Sequence, residues 1–298
     1  GIRPDDLDGQ ILRLENWARD CLDPRLPSFR IHSVPLASGA VVLILRIDGS
    51  LIAPHRITYK GSTRFFSRNS RGKSEMDTSE LRLAFAATDE MPRKMRDLHT
   101  RAVSASRGKD MPFTMPADVP VVVLTFAPLS VLREPRDIKI TREEAVLPPL
   151  VSGYDMVVSL DGLIVYSQMD RETNAASTWS MNHRQGYVDC AWTIGRMVDG
   201  QARAWSKYFE EQMPGAIVSS MARLRTYGIE GPWLAMVTVR SAKGYRLMLG
   251  NHYYSDPAWR EEAYLGEVVD EVMNAESIQP FIDNFWRLFG IDDITRWR

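Results

Sequence analysis

Two apolar runs constrain this chain more than any other feature. "VVLILRI" at 41–47 and "VPVVVLTFAPL" at 119–129 are rich in β-branched residues and are bounded by Gly, Pro or Asp. Both are short for buried helices, and neither alternates apolar with polar as a half-exposed strand would. Each therefore reads as a strand buried on both faces. The helical patterns between and after them make the expected fold class α+β (mixed α/β), in two parts.

The rest of the chain fits around these strands. Residues 5–22 read as a helix, with Asp5 and Asp6 at its positive end and Ile11, Leu14, Trp17, Ala18 and Cys21 at helical spacing. Strands follow at 29–36, 40–48 and 56–60, the last paired with 64–68 through a Gly61-Ser62 turn. Thr78 is the expected cap of a helix at 79–87, and Thr88 that of another running to about Ser106. "SRGKDMPFTMPADVP" (106–120) is dense in Pro, Gly and polar residues and reads as the domain boundary, dividing the chain into 1–108 and 116–298. Beyond it, 154–168 reads as two strands about an Asp161-Gly162 turn, and 186–195 as an alternating strand. Residues 201–227 read as a helix kinked at Pro214, and 232–249 as a hairpin around Ala242-Lys243-Gly244. A strand at 266–273 and a helix at 278–290 ending on Gly290 close the chain. The second domain is thus expected to carry a mostly antiparallel sheet, with Trp179, Trp192, Trp233, Trp259 and Trp286 in its core or at an interface.

Composition excludes several classes of function. The net charge is −1, so attraction to a polyanion has to come from a local patch. Cys21 and Cys190 are the two cysteines and form no CxxC pair, which excludes a disulfide framework and a cysteine zinc site and suits a reducing cytoplasm. No run of about 18 apolar residues occurs, so no membrane partner is expected. No GxxxxGK[ST], HExxH, HxxxH or GxSxG is present, and no cofactor, metal or serine nucleophile is expected. "NHRQG" (182–186) and "NHYYSD" (251–256) read as polar loops of the second domain, either of which can line a pocket, though such loops are more often satisfied at the surface. A start at Gly1, without Met, reads as a boundary or a processed end, with sequence expected upstream.

One local patch stands out. From Pro54 to Lys73 the chain reads "PHRITYKGSTRFFSRNSRGK", with no acid. His55, Arg56, Lys60, Arg64, Phe66, Arg68, Arg71 and Lys73 are its candidate nucleic-acid-binding residues. Clustered Arg and Lys suit phosphate, an exposed Phe suits an unpaired base, and "SRNSRGK" suits an anion-binding loop. Strand alternation places Arg64, Phe66 and Arg68 on one face and Phe65 and Ser67 on the other. The competing reading is an edge strand kept soluble by its charges.

The segment from "RIHSVPL" through "GAVVLILRI", "APH", "RFFSRNSRGKSEMD" and "ELRLAF" resembles the C-terminal half of the Schlafen AlbA-type domain, found in many bacterial proteins. Residues 1–108 then form a partial AlbA-like α/β module. The later segments "VVVLTFAPLS", "LPPL", "DGLIVYS" and "GYVDCAWTIGRMV" are similar to the region that follows that domain. The resemblance implies a nucleic-acid-associated binding or assembly module, regulatory or defensive in role. The implied partners are nucleic acid through the hairpin, and a protein or the family's N-terminal half. That half, with the Glu-Phe-Lys type motif and the acidic residues of ribonuclease members, has no counterpart here. Cleavage is therefore an alternative for a longer parent, and no residue of this chain is assigned as catalytic. A protein–protein interaction module is the other alternative.

Overall fold

The computed structural model describes all residues except 4, 27–28, 48–49, 51, 70–71, 134–135, 171, 251–252 and 294–298. The chain forms two compact units, Gly1–Lys94 and Met95–Arg298. The fold is α+β, with mostly antiparallel sheets. Among the described residues no helix is long and apolar enough to cross a membrane.

In the first unit, α1 (Leu7–Asp20) starts where the Asp6 carboxylate accepts the Gly9 N–H at 2.9 Å. It leads into β1 (Leu22–Asp23), β2 (Phe29–Pro35), β3 (Val41–Ile47), β4 (Arg56–Tyr59), β5 (Ser62–Asn69), β6 (Gly72–Glu75) and α2 (Thr78–Asp89). The strand order β1-β4-β5-β6 makes one sheet, and β2 with β3 makes a separate two-stranded ribbon. The β4–β5 turn is Lys60-Gly61, one residue earlier than expected. Both residues have positive φ (48° and 75°), the pairing that a two-residue hairpin turn requires. Asp77, not Thr78, caps α2. Its carboxylate accepts the Ser79 and Glu80 N–H groups while Glu80 reaches back to the Asp77 N–H. Thr88 lies inside α2 and donates instead to the Ala53 carbonyl at 2.5 Å.

The expectation of a doubly buried strand at 41–47 is not met. β2 and an isolated bridge to Ile2 are the partners of β3 among the described residues. Ile44 is 50% exposed and Ile47 56% exposed. A two-stranded ribbon has no flanking strands, and among the described residues β3 is left largely exposed. The unit's core is correspondingly thin: of its described hydrophobic side chains, only Ala40 and Met91 are fully buried.

The second unit is built on seven strands in the order β16-β14-β7-β11-β10-β9-β8. In chain order its elements begin with α3 (Met91–Ala105, whose first four residues belong to the first unit). They continue through β7 (Val121–Pro128), β8 (Tyr154–Val158), β9 (Gly162–Ser167), β10 (Thr178–His183) and β11 (Tyr187–Thr193). Next come β12 (Gly195–Val198), β13 (Gln201–Ala204), α4 (Lys207–Glu210), α5 (Gln212–Thr226), β14 (Trp233–Arg240), β15 (Arg246–Leu247), β16 (Glu262–Asp270) and α6 (Ala275–Leu288). One face of the sheet presents Val122, Leu124 and Phe126 of β7 to a core that includes Met213 and Met221 of α5 and Phe281 and Phe285 of α6. The other face presents Val121 and Val123 to Ala102 and Val103 of α3, with Phe113 and Met115. Every residue of β7 is buried, as the run at 119–129 leads one to expect.

Several elements differ from expectation, each for a local reason. Residues 201–227 are a strand followed by two helices, and Pro214 falls in the first turn of α5, where its missing N–H costs nothing. Residues 232–249 form no hairpin. Both edges of β14 are taken by β7 and β16, so β15 pairs in parallel with β13. The turn after β8 is Leu160-Asp161, since the Ser159 N–H closes on the Gly162 carbonyl. Gly290, at φ 77°, ends α6 as expected: its N–H bonds the Arg287 carbonyl, and that of Ile291 bonds the Trp286 carbonyl. Trp179, Trp192, Trp233 and Trp286 are core, whereas Trp259 is 71% exposed beside Arg260.

The stretch 106–120 belongs to the second unit, and the division falls at Lys94 rather than within this stretch. Buried Arg240 fastens it, donating to the Ser106 carbonyl (2.5 Å), Ser106 Oγ (2.9 Å) and the Pro116 carbonyl (3.4 Å). Ser241 Oγ donates to the Ala117 carbonyl and Tyr245 OH to that of Asp118. Burial pulls the Arg240 guanidinium down to about 10, and these carbonyls are what solvate it in place of water. Replacing it by an apolar side chain of similar length, Arg240→Met, is expected to destabilise the second unit by about 3 kcal/mol. The loss is expected to concentrate as faster amide hydrogen exchange across 106–118; unchanged protection there would show the stretch to be held by other contacts.

Candidate functional site

The basic stretch does not form one patch. Cross-strand partners share a face, so the register sorts its residues. Arg56 lies opposite Phe65, and Arg64 opposite Ile57. On β5–β6, Phe66 faces Glu75 and Arg68 faces Lys73. Arg64, Phe66, Arg68 and Lys73 thus share one face, while Arg56 lies on the other, where Phe65 meets Phe85 of α2 edge-on at 6.0 Å. Lys60 stands in the turn, its Nζ 5.4 Å from the Tyr59 ring centroid. Arg71 lies outside the described residues.

Acids from beyond the acid-free stretch reach into it. Arg56 pairs with Asp23 at 2.6 Å, and Arg64 pairs with Glu75 while its Nε donates to Ser62 Oγ. His55 is turned inward: Nδ1 donates to the Pro24 carbonyl at 2.6 Å, and Nε2 is enclosed without a partner. Arg68 and Lys73, like Lys60 in the turn, have no carboxylate partner among the described residues. Lys73 Nζ sits 4.5 Å above the Phe66 ring, a cation–π arrangement.

A second constellation lies on the α3 face of the seven-stranded sheet. Asp189 of β11 is buried, its side chain 4% exposed, and both its oxygens are engaged. Thr125 Oγ1 donates to Oδ1 at 2.7 Å, and His183 Nε2 meets Oδ2 at 2.7 Å. With the Thr125 proton committed, His99 of α3 has to donate through Nδ1 to Thr125 Oγ1 (3.0 Å). Its Nε2 then accepts from Thr238 Oγ1 (2.7 Å). A directed chain results, from Thr238 through His99 and Thr125 to Asp189, met from the other side by His183. The His183 ring stacks on Tyr187 with centroids 3.8 Å apart and planes 11° apart.

This chain abuts a cleft of about 460 Å³, lined by His183, Tyr187 and Asp189, by the apolar side chains of Met111, Trp179 and Met181, and by charged groups from α3 and the surrounding loops. Burial, together with the Asp189 carboxylate, pushes the Tyr187 hydroxyl far above its ordinary range, so it is a neutral donor. Of the polar loop at 182–186, His183 faces this cleft rather than open solvent. The signal for the constellation was in the sequence as lone polar residues inside apolar strands: Thr125 in "VVVLTFAP", Asp189 in "YVDCAW" and Thr238 in "LAMVTVR".

Compared with protein-family models, curated proteins and solved structures, the chain matches none. Its class is that of an α+β protein whose antiparallel sheet carries a His183–Asp189 pair, the carboxylate buried, at the edge of a cleft.

Burial lowers the His99 pKa from 6.5 to about 4, against the opposing pull of Asp189. The unfolded chain therefore binds a proton near pH 6.5 that the folded chain takes up only near pH 4. This contribution to stability is fully present above about pH 6.5 and is lost as the pH falls towards 4, by roughly 3 kcal/mol. His99→Gln keeps a donor and an acceptor but does not titrate. Its melting temperature is expected to fall less than wild type over that pH window; an equal fall would assign acid sensitivity to other groups.

Proposed function

We propose that the first unit is a nucleic-acid-binding module acting through the outer face of the β5–β6 hairpin, with Arg68, Lys73 and Phe66 as its principal contacts. One observation carries this reading. Arg68 and Lys73 stand directly opposite each other across the ladder, a like-charge pair that destabilises a sheet unless an anion lies between them. Beside them Phe66 offers an aromatic surface on the same face, as single-strand binders use for stacking. The resemblance to the Schlafen AlbA-type domain points the same way, and with it comes a regulatory or defensive role in a bacterial cytoplasm. Arg56, Arg64 and His55 have a structural part in this reading, because each already has a partner. Asp23 and Glu75, the acids paired with the hairpin, are held by arginines, so the role proposed is binding; cleavage belongs to the alternative of a longer parent.

Fluorescence anisotropy with single-stranded RNA and DNA oligonucleotides over a salt series tests this. Arg68→Ala and Lys73→Ala are each expected to weaken binding whatever the base sequence and to reduce the salt slope by about 1. Phe66→Ala should cost about 1–3 kcal/mol on single strands and little on duplex. Affinity that is indifferent to all three would overturn the proposal.

The exposed ribbon favours a second reading, a protein partner docking on the first unit. Val42 and Ile44 are exposed on one face, and Leu45 and Ile47 on the other. The Ile44→Lys, Ile47→Lys double variant is expected to lose most binding of a hydrophobic dye such as ANS and any concentration-dependent self-association. Retention of both would place the sticky surface elsewhere.

A further inference from the structure

The cleft beside His183 is independent of the hairpin and belongs wholly to the second unit. Its chemistry is mixed in an informative way. Ala105, Met111 and Leu160, the apolar lining residues that keep accessible surface, give it an apolar wall, while Trp179 and Met181 are buried. Arg101, Lys109, Arg136 and Arg184 stand around it, and none forms an ion pair among the described residues. Asp110, Asp137 and Asp161 interleave with them. Unpaired cations suit a phosphate, free carboxylates accept from hydroxyl groups, and the wall suits a flat ring.

Within the cleft, the orientation of the His183 ring is set from behind. Asp189 holds its Nε2, so Nδ1 is the nitrogen left for a ligand. Asp189 is itself locked by Thr125 and, through Thr125, by His99. A histidine held by a buried carboxylate, and stacked on a tyrosine that keeps its proton, is a preorganised contact; a surface histidine has no such backing. We propose that this cleft binds a phosphorylated small molecule bearing hydroxyl groups and a flat ring, of the nucleoside monophosphate class, with His183 Nδ1 as a direct contact and Arg184 as a phosphate contact. The volume, about 460 Å³, lies in the range of small-ligand sites and is sufficient for one such molecule.

Titration calorimetry of the full chain with adenosine 5′-monophosphate, adenosine and inorganic phosphate tests this. The monophosphate is expected to saturate a single site, with adenosine and phosphate each weaker by about tenfold or more. His183→Ala and Arg184→Ala should each weaken the monophosphate by about tenfold. Arg184 lies in the 184–186 turn outside the strands, so its variant keeps the test meaningful even where His183→Ala impairs folding. In the Arg68→Ala, Lys73→Ala background, which removes the hairpin's phosphate contacts, the monophosphate should still saturate one site and Arg184→Ala should still weaken it, which separates this site from the hairpin. The proposal is overturned if the monophosphate does not bind, if adenosine binds equally well, or if the Arg184 variant binds unchanged while the hairpin variant loses affinity.

Discussion

A carboxylate buried in a sheet that is covered on both faces leaves little freedom to what surrounds it. Asp189 sits in that position, and an unpaired charge there would cost more than a domain of this size can spare. Its needs are met by Thr125, the residue directly opposite on the neighbouring strand, and by His183, presented from β10. Because the Thr125 proton is committed, the next partner has to be a donor, and His99 provides it from the helix above. Thr238 completes the chain from β14. Four elements are thereby tied to one side chain, and the placement of α3 on the sheet follows from it as much as from apolar packing.

The two apolar runs show how far sequence reading reaches. They are almost interchangeable in composition, yet β7 is buried along its whole length and β3 is largely exposed. What separates them is the presence of covering elements that lie far away in the chain. β7 has α5 and α6 on one side and α3 on the other, whereas β3 has one neighbour strand. Local features were more legible: the capped α1, the hairpin at 56–69 and the glycine stop at Gly290 rest on backbone chemistry within a few residues. The stretch 106–120 misled because Pro and Gly report conformation and say nothing of anchoring. The anchor is Arg240, distant in the chain.

The same distinction governs the sites. Alternation identified the face shared by Arg64, Phe66 and Arg68, and the ladder has that face. The charge balance could not be read from the basic stretch alone, since Asp23 enters from β1 and Glu75 from β6. The polar chain around Asp189 was visible only as isolated polar letters within apolar strands. Each had an unremarkable explanation alone, and only the pairing of β7, β11 and β14 shows that they converge.

The order of the large sheet has a consequence for how the protein is made. β7 is the first of its strands to be synthesised, but it ends up between β11 and β14. One of its edges closes only when β14 emerges, roughly a hundred residues later, and such long-range pairing is slow to form. Until then a strand apolar but for Thr125 presents an open row of amides and carbonyls, inviting non-native partners on the ribosome. The nascent second unit is therefore most vulnerable midway through its own translation, and it cannot mature as a pair of separately folding halves.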